Sequence, residues 1–222
     1  MKSDSSMKNE GIKKSEISQK FEKLKSDSFD VLCRLSQLAE YKTAHKGCHN
    51  KRMGYFAAAI ARKMGFDEIF AEKMLYASPL HDIGKIGIPD NILVKPDKLT
   101  HEEWQLMRQH TMIGEKILED MNIEFVKLAK EIALTHHEKY NGSGYPKGLQ
   151  SNNIPVSGRI VAIVDVFDSL TSERPFRDEV FSIKDAFDLI KAAVGSHFDP
   201  EVVEVFSSIK DELVRIKGEY KD

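Results

Sequence analysis

The stretch EFVKLAKEIALTHHEKYNGSGYP, residues 124–146, decides the fold. Its first half repeats apolar residues at helical spacing and runs into two adjacent histidines, His136 and His137. The chain then turns through glycine and proline. FDVLCRLSQLAEY, YFAAAIARKMGF, EIFAEKMLYASPL and EEWQLMRQHTMIGEKIL carry the same periodicity, and no comparable alternating strand pattern accompanies them. Helix punctuation agrees: Thr100 followed by Glu103 has the pattern of a capping box, Ser182 followed by Asp185 resembles one, and Asp199-Pro200 supplies an N-cap with a first-turn proline. The expected fold class is all-α.

At 222 residues and 41% hydrophobic content, the chain can build one core plus a polar extension. Residues 1–28, rich in Lys, Ser, Glu and Asp, read as a polar tether or helix, and 29–222 as the folded domain. Lys plus Arg number 33 against 35 Asp plus Glu, a net charge of -2. No broad cationic field exists to attract a nucleic-acid polymer or an anionic membrane. Two cysteines, Cys33 and Cys48, make no disulfide framework. The apolar runs fall far short of the roughly 20 residues a membrane crossing needs. The expectation is a cytoplasmic protein.

Charged and imidazole side chains inside apolar helices cost several kcal/mol to bury unless something compensates them. His81-Asp82 in LHDIGK and His136-His137 are such intruders, and His110 in RQHTMIGEKIL, Asp165 in GRIVAIVDVFDSL and His49 in GCHNKRMGYFAAAIA join them. A metal centre in the bundle core is the economical answer. Neighbouring helical residues point about 100° apart, so each doublet favours two ions over one. Mixed imidazole and carboxylate ligands suit iron, manganese, zinc or nickel, with Asp165 the expected bridging carboxylate. Two ions a few ångströms apart can hold a shared hydroxide and clamp a phosphodiester undergoing in-line attack.

HDIGKIGIPD (81–90), HHEKYNGSGYP (136–146), DVFDSLTSERPFR (165–177) and GSHFDPEVVEVF (195–206) occur in order, and with them the chain resembles the HD-GYP family of cyclic di-GMP phosphodiesterases. The resemblance spans about residues 40–206. It implies an HD-type helical bundle and hydrolysis of cyclic di-GMP to pGpG, GMP or both by a metal-bridged hydroxide. It also implies a centre of two or three divalent transition metal ions, iron or manganese favoured, held by His49, His81, Asp82, His110, His136, His137 and Asp165. Members with a third ion tend to carry Glu four residues before the first ligand histidine. This chain has His45 there, which makes His45 a further candidate ligand.

Lys85 sits three residues after Asp82, where its ammonium can neutralise charge on a phosphate, and is read as catalytic beside Asp82. Asp168, one turn beyond Asp165, is grouped with them as a partner that orients water or a ligand. Gly142 and Gly144 are expected to supply unusual backbone conformations, and Gly144, Tyr145 and Pro146 to shape the nucleotide pocket. Arg174 and Arg177 are expected on phosphate oxygens. His197 and His101 are read as structural and solvated residues. The alternatives are a catalytically inactive module that binds metal and nucleotide or docks a protein, and a hydrolase of another cyclic dinucleotide. Expected partners are cyclic di-GMP and a diguanylate cyclase or sensor/receiver protein.

Overall fold

Four alanines, Phe56 and Ile60 make the middle of α2 (His49–Lys63) apolar on every side, and its residues from Phe56 to Ala61 are buried without a break. Small side chains let neighbours approach closely, so α2 becomes the axis on which the others pack. A computed structural model of the protein describes residues 3–41, 48–173 and 180–221, and for 3–17 and 40 it fixes the backbone alone. Helix α2 ends in a Schellman turn: Gly65 takes φ 90°, its N–H donates to the Arg62 carbonyl, and the Phe66 N–H donates to that of Ala61.

Around α2 lie α3 (Glu68–Ala77), α8 (Val156–Thr171), α10 (Pro200–Ser208) and α11 (Lys210–Glu219), while α7 (Glu124–Thr135) packs on both α3 and α8. Phe56, Phe167, Phe187 and Phe206 interlock in the core, with ring centroids 4.4–5.5 Å apart for the contacting pairs. Helix α9 (Ile183–Ala192) closes that end, capped by the Ser182 hydroxyl, and Asp199 caps α10 ahead of Pro200. No β-strand occurs among the described residues, and no described helix is long and apolar enough to cross a membrane.

Helix α1 (Ser3–Glu40) runs through residue 28 without interruption and seats Phe29, Cys33, Ser36 and Ala39 on the domain. Burial pushes the Cys33 thiol up to about 12, so it behaves as an inert apolar group there.

The loops that carry the doublets are tightly built. Helix α3 gives way to a 3-10 turn at Ser78–Leu80, where Pro79 supplies no N–H, and a second 3-10 turn, Ile83–Gly87, follows Asp82. A Cβ on Gly84 would lie 1.9 Å from the His110 carbonyl oxygen, so only glycine lets this turn lie against the next helix. A short α4 (Asp90–Leu93) sits inside the first long connection. The periodic run at 102–118 divides at Gln109 into α5 (His101–Arg108), opened by the Thr100–Glu103 capping box, and α6 (His110–Ile117). The division falls one residue before a functional histidine.

Candidate metal centre

Five elements deliver the intruding side chains to one place. His49 opens α2, His81 and Asp82 lie between the two 3-10 turns, His110 opens α6, His136 and His137 follow α7, and Asp165 projects from the middle of α8. Two groups form. Asp82, His110, His136 and His137 offer ligand atoms all within 4.8 Å of one another, and so do His49, His81 and Asp165. Either group is able to hold a cation.

Asp82 stands between them. Its Oδ1 lies 3.3 Å from His110 Nε2 and 3.6 Å from His136 Nε2, while its Oδ2 lies 3.3 Å from His81 Nε2 and accepts a hydrogen bond from Lys85. Asp165 Oδ1 lies 3.9 Å from His81 Nε2 and 4.0 Å from His49 Nε2, inside one group only. The carboxylate facing both groups is therefore Asp82, where sequence reasoning expected Asp165. The cause is local: the turns on either side of Asp82 pack on α6 and α7 and leave its side chain among His81, His110 and His136.

The backs of the imidazoles are tied. His81 Nδ1 is 3.0 Å from the Ser78 carbonyl, His110 Nδ1 is 2.7 Å from that of Met107, and His136 Nδ1 is 3.0 Å from that of Ile132. His49 Nδ1 is 2.7 Å from Asp168 Oδ2. Each acceptor needs a proton on Nδ1, which leaves the Nε2 lone pair turned inward. Yet His110 Nε2, His136 Nε2 and Asp82 Oδ1 are buried without hydrogen-bond geometry to any described group. Polar atoms converging in this way, each unsatisfied by the others, describe the shell of a cation.

The electrostatics agree. Burial holds His110 down to about 4, and burial with the neighbouring His136 and His110 keeps His137 well below its ordinary value, so both rings are neutral donors. Burial alone would raise the Asp82 carboxyl, but Lys85 and His81 outweigh it and hold it well below the carboxylate range.

Asp168 has a different occupation. It is fully enclosed and accepts from Arg52 Nε at 2.6 Å and Arg52 Nη2 at 2.9 Å, besides His49. Arg52, 1% exposed, also donates to the Tyr220 carbonyl and the Ser172 hydroxyl. Against the pull of burial, His49 and Arg52 keep the Asp168 carboxyl strongly depressed. What it orients is the His49 ring. Sequence reasoning missed Arg52, although an arginine three residues after His49 inside an apolar helix was a visible signal.

The loop after His137 is pinned by Glu138, another residue that was missed. Its buried carboxylate accepts from the Lys147 N–H at 2.7 Å and the Leu149 N–H at 3.0 Å. Gly142 does adopt a left-handed φ of 83°. Gly144 serves space instead: a Cβ there would lie 2.2 Å from the Lys139 nitrogen. Tyr145, joined to Pro146 by a cis peptide, stacks on the His137 ring at 4.8 Å. The Arg108 guanidinium lies 4.6 Å from the Tyr145 ring centre and Trp104 meets it edge-on at 6.1 Å. Burial, with Asp82 and Asp165 nearby, raises the phenol and keeps its proton on. His45, Arg174 and Arg177 lie outside the described residues.

The family model for the HD domain matches residues 34–202. A cyclic di-GMP phosphodiesterase of Thermotoga maritima is 45% identical over 194 residues, 87% of this chain and 52% of that protein. A 3'3'-cGAMP-specific phosphodiesterase of Vibrio cholerae is 39% identical over 199 residues, 90% of this chain and 38% of that protein. The chain thus spans about half or less of the length of these relatives. Among solved structures, a cyclic GMP-AMP specific phosphodiesterase of V. cholerae shares the fold with a TM-score of 0.67 at 17% identity, over 85% of this chain and 50% of that one.

Proposed function

The chain belongs to the HD domain family, in its HD-GYP branch, and on that premise we propose that it is a metal-dependent phosphodiesterase that hydrolyses cyclic di-GMP. The observation that carries the reading is the set of four imidazoles whose Nδ1 atoms are tied outward while their Nε2 atoms face Asp82 and Asp165. Asp82, His110, His136 and His137 would hold one divalent ion and His49, His81 and Asp165 a second, with Asp82 reaching both. A third ion would draw on His45. Iron and manganese suit these mixed nitrogen and oxygen donors. When bound, such ions supply Lewis-acid charge and a water acidic enough to react near neutral pH.

The chain's own residues do the rest. Lys85, held against Asp82, keeps its positive charge beside the scissile phosphate and stabilises the charge that develops on the departing oxygen. Asp168 is a positioning residue that fixes His49. Tyr145, with Gly144 and Pro146, bounds the pocket on the His137 side and keeps its hydroxyl proton available for donation. Arg174 and Arg177 are assigned to phosphate oxygens for their bidentate reach. The catalytic domain is placed at 29–222. Cyclic di-GMP is put first because the relative at 45% identity bears that name, and the cGAMP-specific relative makes the mixed dinucleotide the second substrate to try.

Protein purified without oxygen is expected to carry transition metal on elemental analysis and to convert cyclic di-GMP to pGpG, GMP or both on chromatography. Fully loaded protein that leaves cyclic di-GMP and cGAMP intact with iron and with manganese overturns hydrolysis, leaving a binding module.

A further inference from the structure

Five large apolar side chains of α1 face solvent: Phe21, Leu24, Val31, Leu35 and Leu38, each more than half exposed. Together with Ser28 they follow one another at alternating steps of three and four residues, the a/d repeat of a helix pair. Scattered exposed apolar residues are ordinary, but five of them in one line on a single helix, interrupted only by Ser28, are not. Nor are they the residues that seat the helix, because Phe29, Cys33, Ser36 and Ala39 do that. At about 100° per residue the exposed stripe lies roughly 110° round the helix from this buried face. Ser28 also edges an apolar groove walled by Ile69, Tyr76, Ile123 and Phe125.

We propose that this stripe is the interface of a parallel, in-register helix pair formed with a second copy of this chain. A partner must be a helix with the same period. In a second copy every layer meets its own equal, with five apolar layers around one serine layer. At about 100 Å² for each large apolar side chain, two copies would bury on the order of 1,000 Å², the size at which specific association begins. The angle between the two faces sets the orientation. In a parallel pair the twofold axis runs along the helices and sends the second domain to the opposite side, whereas an antiparallel pair puts both domains on the same side, where they crowd. The parallel register brings Lys20 towards Lys25 of the second copy, and Lys25 is already neutralised by Glu72 at 2.8 Å.

Ser28 marks the register, as a polar residue at an a position does. Sedimentation of the full chain from about 1 to about 100 µM is expected to show a dimer. The double variant Val31→Glu, Leu35→Glu should weaken association by about 100-fold or more with an unchanged circular dichroism spectrum, since both residues are exposed in the single copy. Ser28→Cys, in a chain whose half-exposed Cys48 is replaced by Ser, should form an intermolecular disulfide on mild oxidation that the Cys48→Ser chain alone, with Cys33 buried, does not form. A monomer throughout that range, a dimer that survives the two glutamates, or a Ser28→Cys chain that stays uncrosslinked overturns the proposal. None of these outcomes bears on hydrolysis, because the stripe carries no residue of the metal centre.

Discussion

Asp82 and Asp168 are both buried aspartates held far on the ionised side, and they differ in how they are satisfied. Asp168 is closed: Arg52 grips both oxygens, His49 donates to one, and Lys217 stands 3.4 Å away. Asp82 is left open, one oxygen held by Lys85 and the other facing imidazole nitrogens that do not bond to it. A closed carboxylate serves the fold, whereas an open one among neutral histidines serves a ligand. The largest effect should therefore come from Asp82→Ala, which removes the carboxylate that belongs to one ligand set and faces His81 of the other. Turnover is expected to fall by at least about 10³-fold, and elemental analysis should find the metal depleted. Full metal content with activity within tenfold would erase the distinction.

Asp168→Ala tests the other side. It strands the Arg52 guanidinium in the interior, and removing one partner of such a buried pair costs about 3–5 kcal/mol. Urea unfolding should register that loss, and metal affinity should drop by about 10–100-fold as His49 loses its anchor. A loss under about 1 kcal/mol would mean that water reaches Arg52 in place of Asp168 and that the site is less closed than its geometry indicates.

The contrast was half legible in the sequence. Asp82, His81, His110, His136 and His137 announce themselves because polar residues in apolar helical stretches need compensation, and the structure brings all five together with His49 and Asp165. The all-α fold was legible for the same reason, since helical periodicity and caps at Thr100, Ser182 and Asp199 are local signals. What stayed hidden depends on tertiary direction. Asp165 and Asp168 share a helix face, yet one looks into the cavity and the other back at Arg52, a contact that spans more than a hundred residues of chain. Which carboxylate lies between the two ligand groups is set by the 3-10 turns around His81-Asp82, and periodicity does not report those.

Lys85 sharpens the comparison from the side of catalysis. It touches Asp82 but belongs to neither ligand group, so Lys85→Ala should lower kcat by about 10²–10³-fold while the protein keeps its metal. If metal content falls as far as in Asp82→Ala, the lysine orders the ligand and has no separate role in the chemistry.

The smallest effect is expected outside the two candidate ligand groups, at Arg108. Its guanidinium lies 4.6 Å from the Tyr145 ring, and that ring stands a further 4.8 Å from His137, so it is two groups removed from the ligand cluster. Among the described residues no carboxylate pairs with it, so under the proposed function its donors would be offered to the substrate. A contact at that remove holds ground state and transition state alike, and such binding appears in KM and not in kcat. Arg108→Ala should raise KM about tenfold, the equivalent of one cation–π or charge-assisted contact, with kcat within about twofold. Arg108→Lys should recover part of the loss, since an ammonium keeps the charge but not the planar fork. A fall in kcat at unchanged KM would instead move Arg108 inward, making Tyr145 the relay by which it acts on His137.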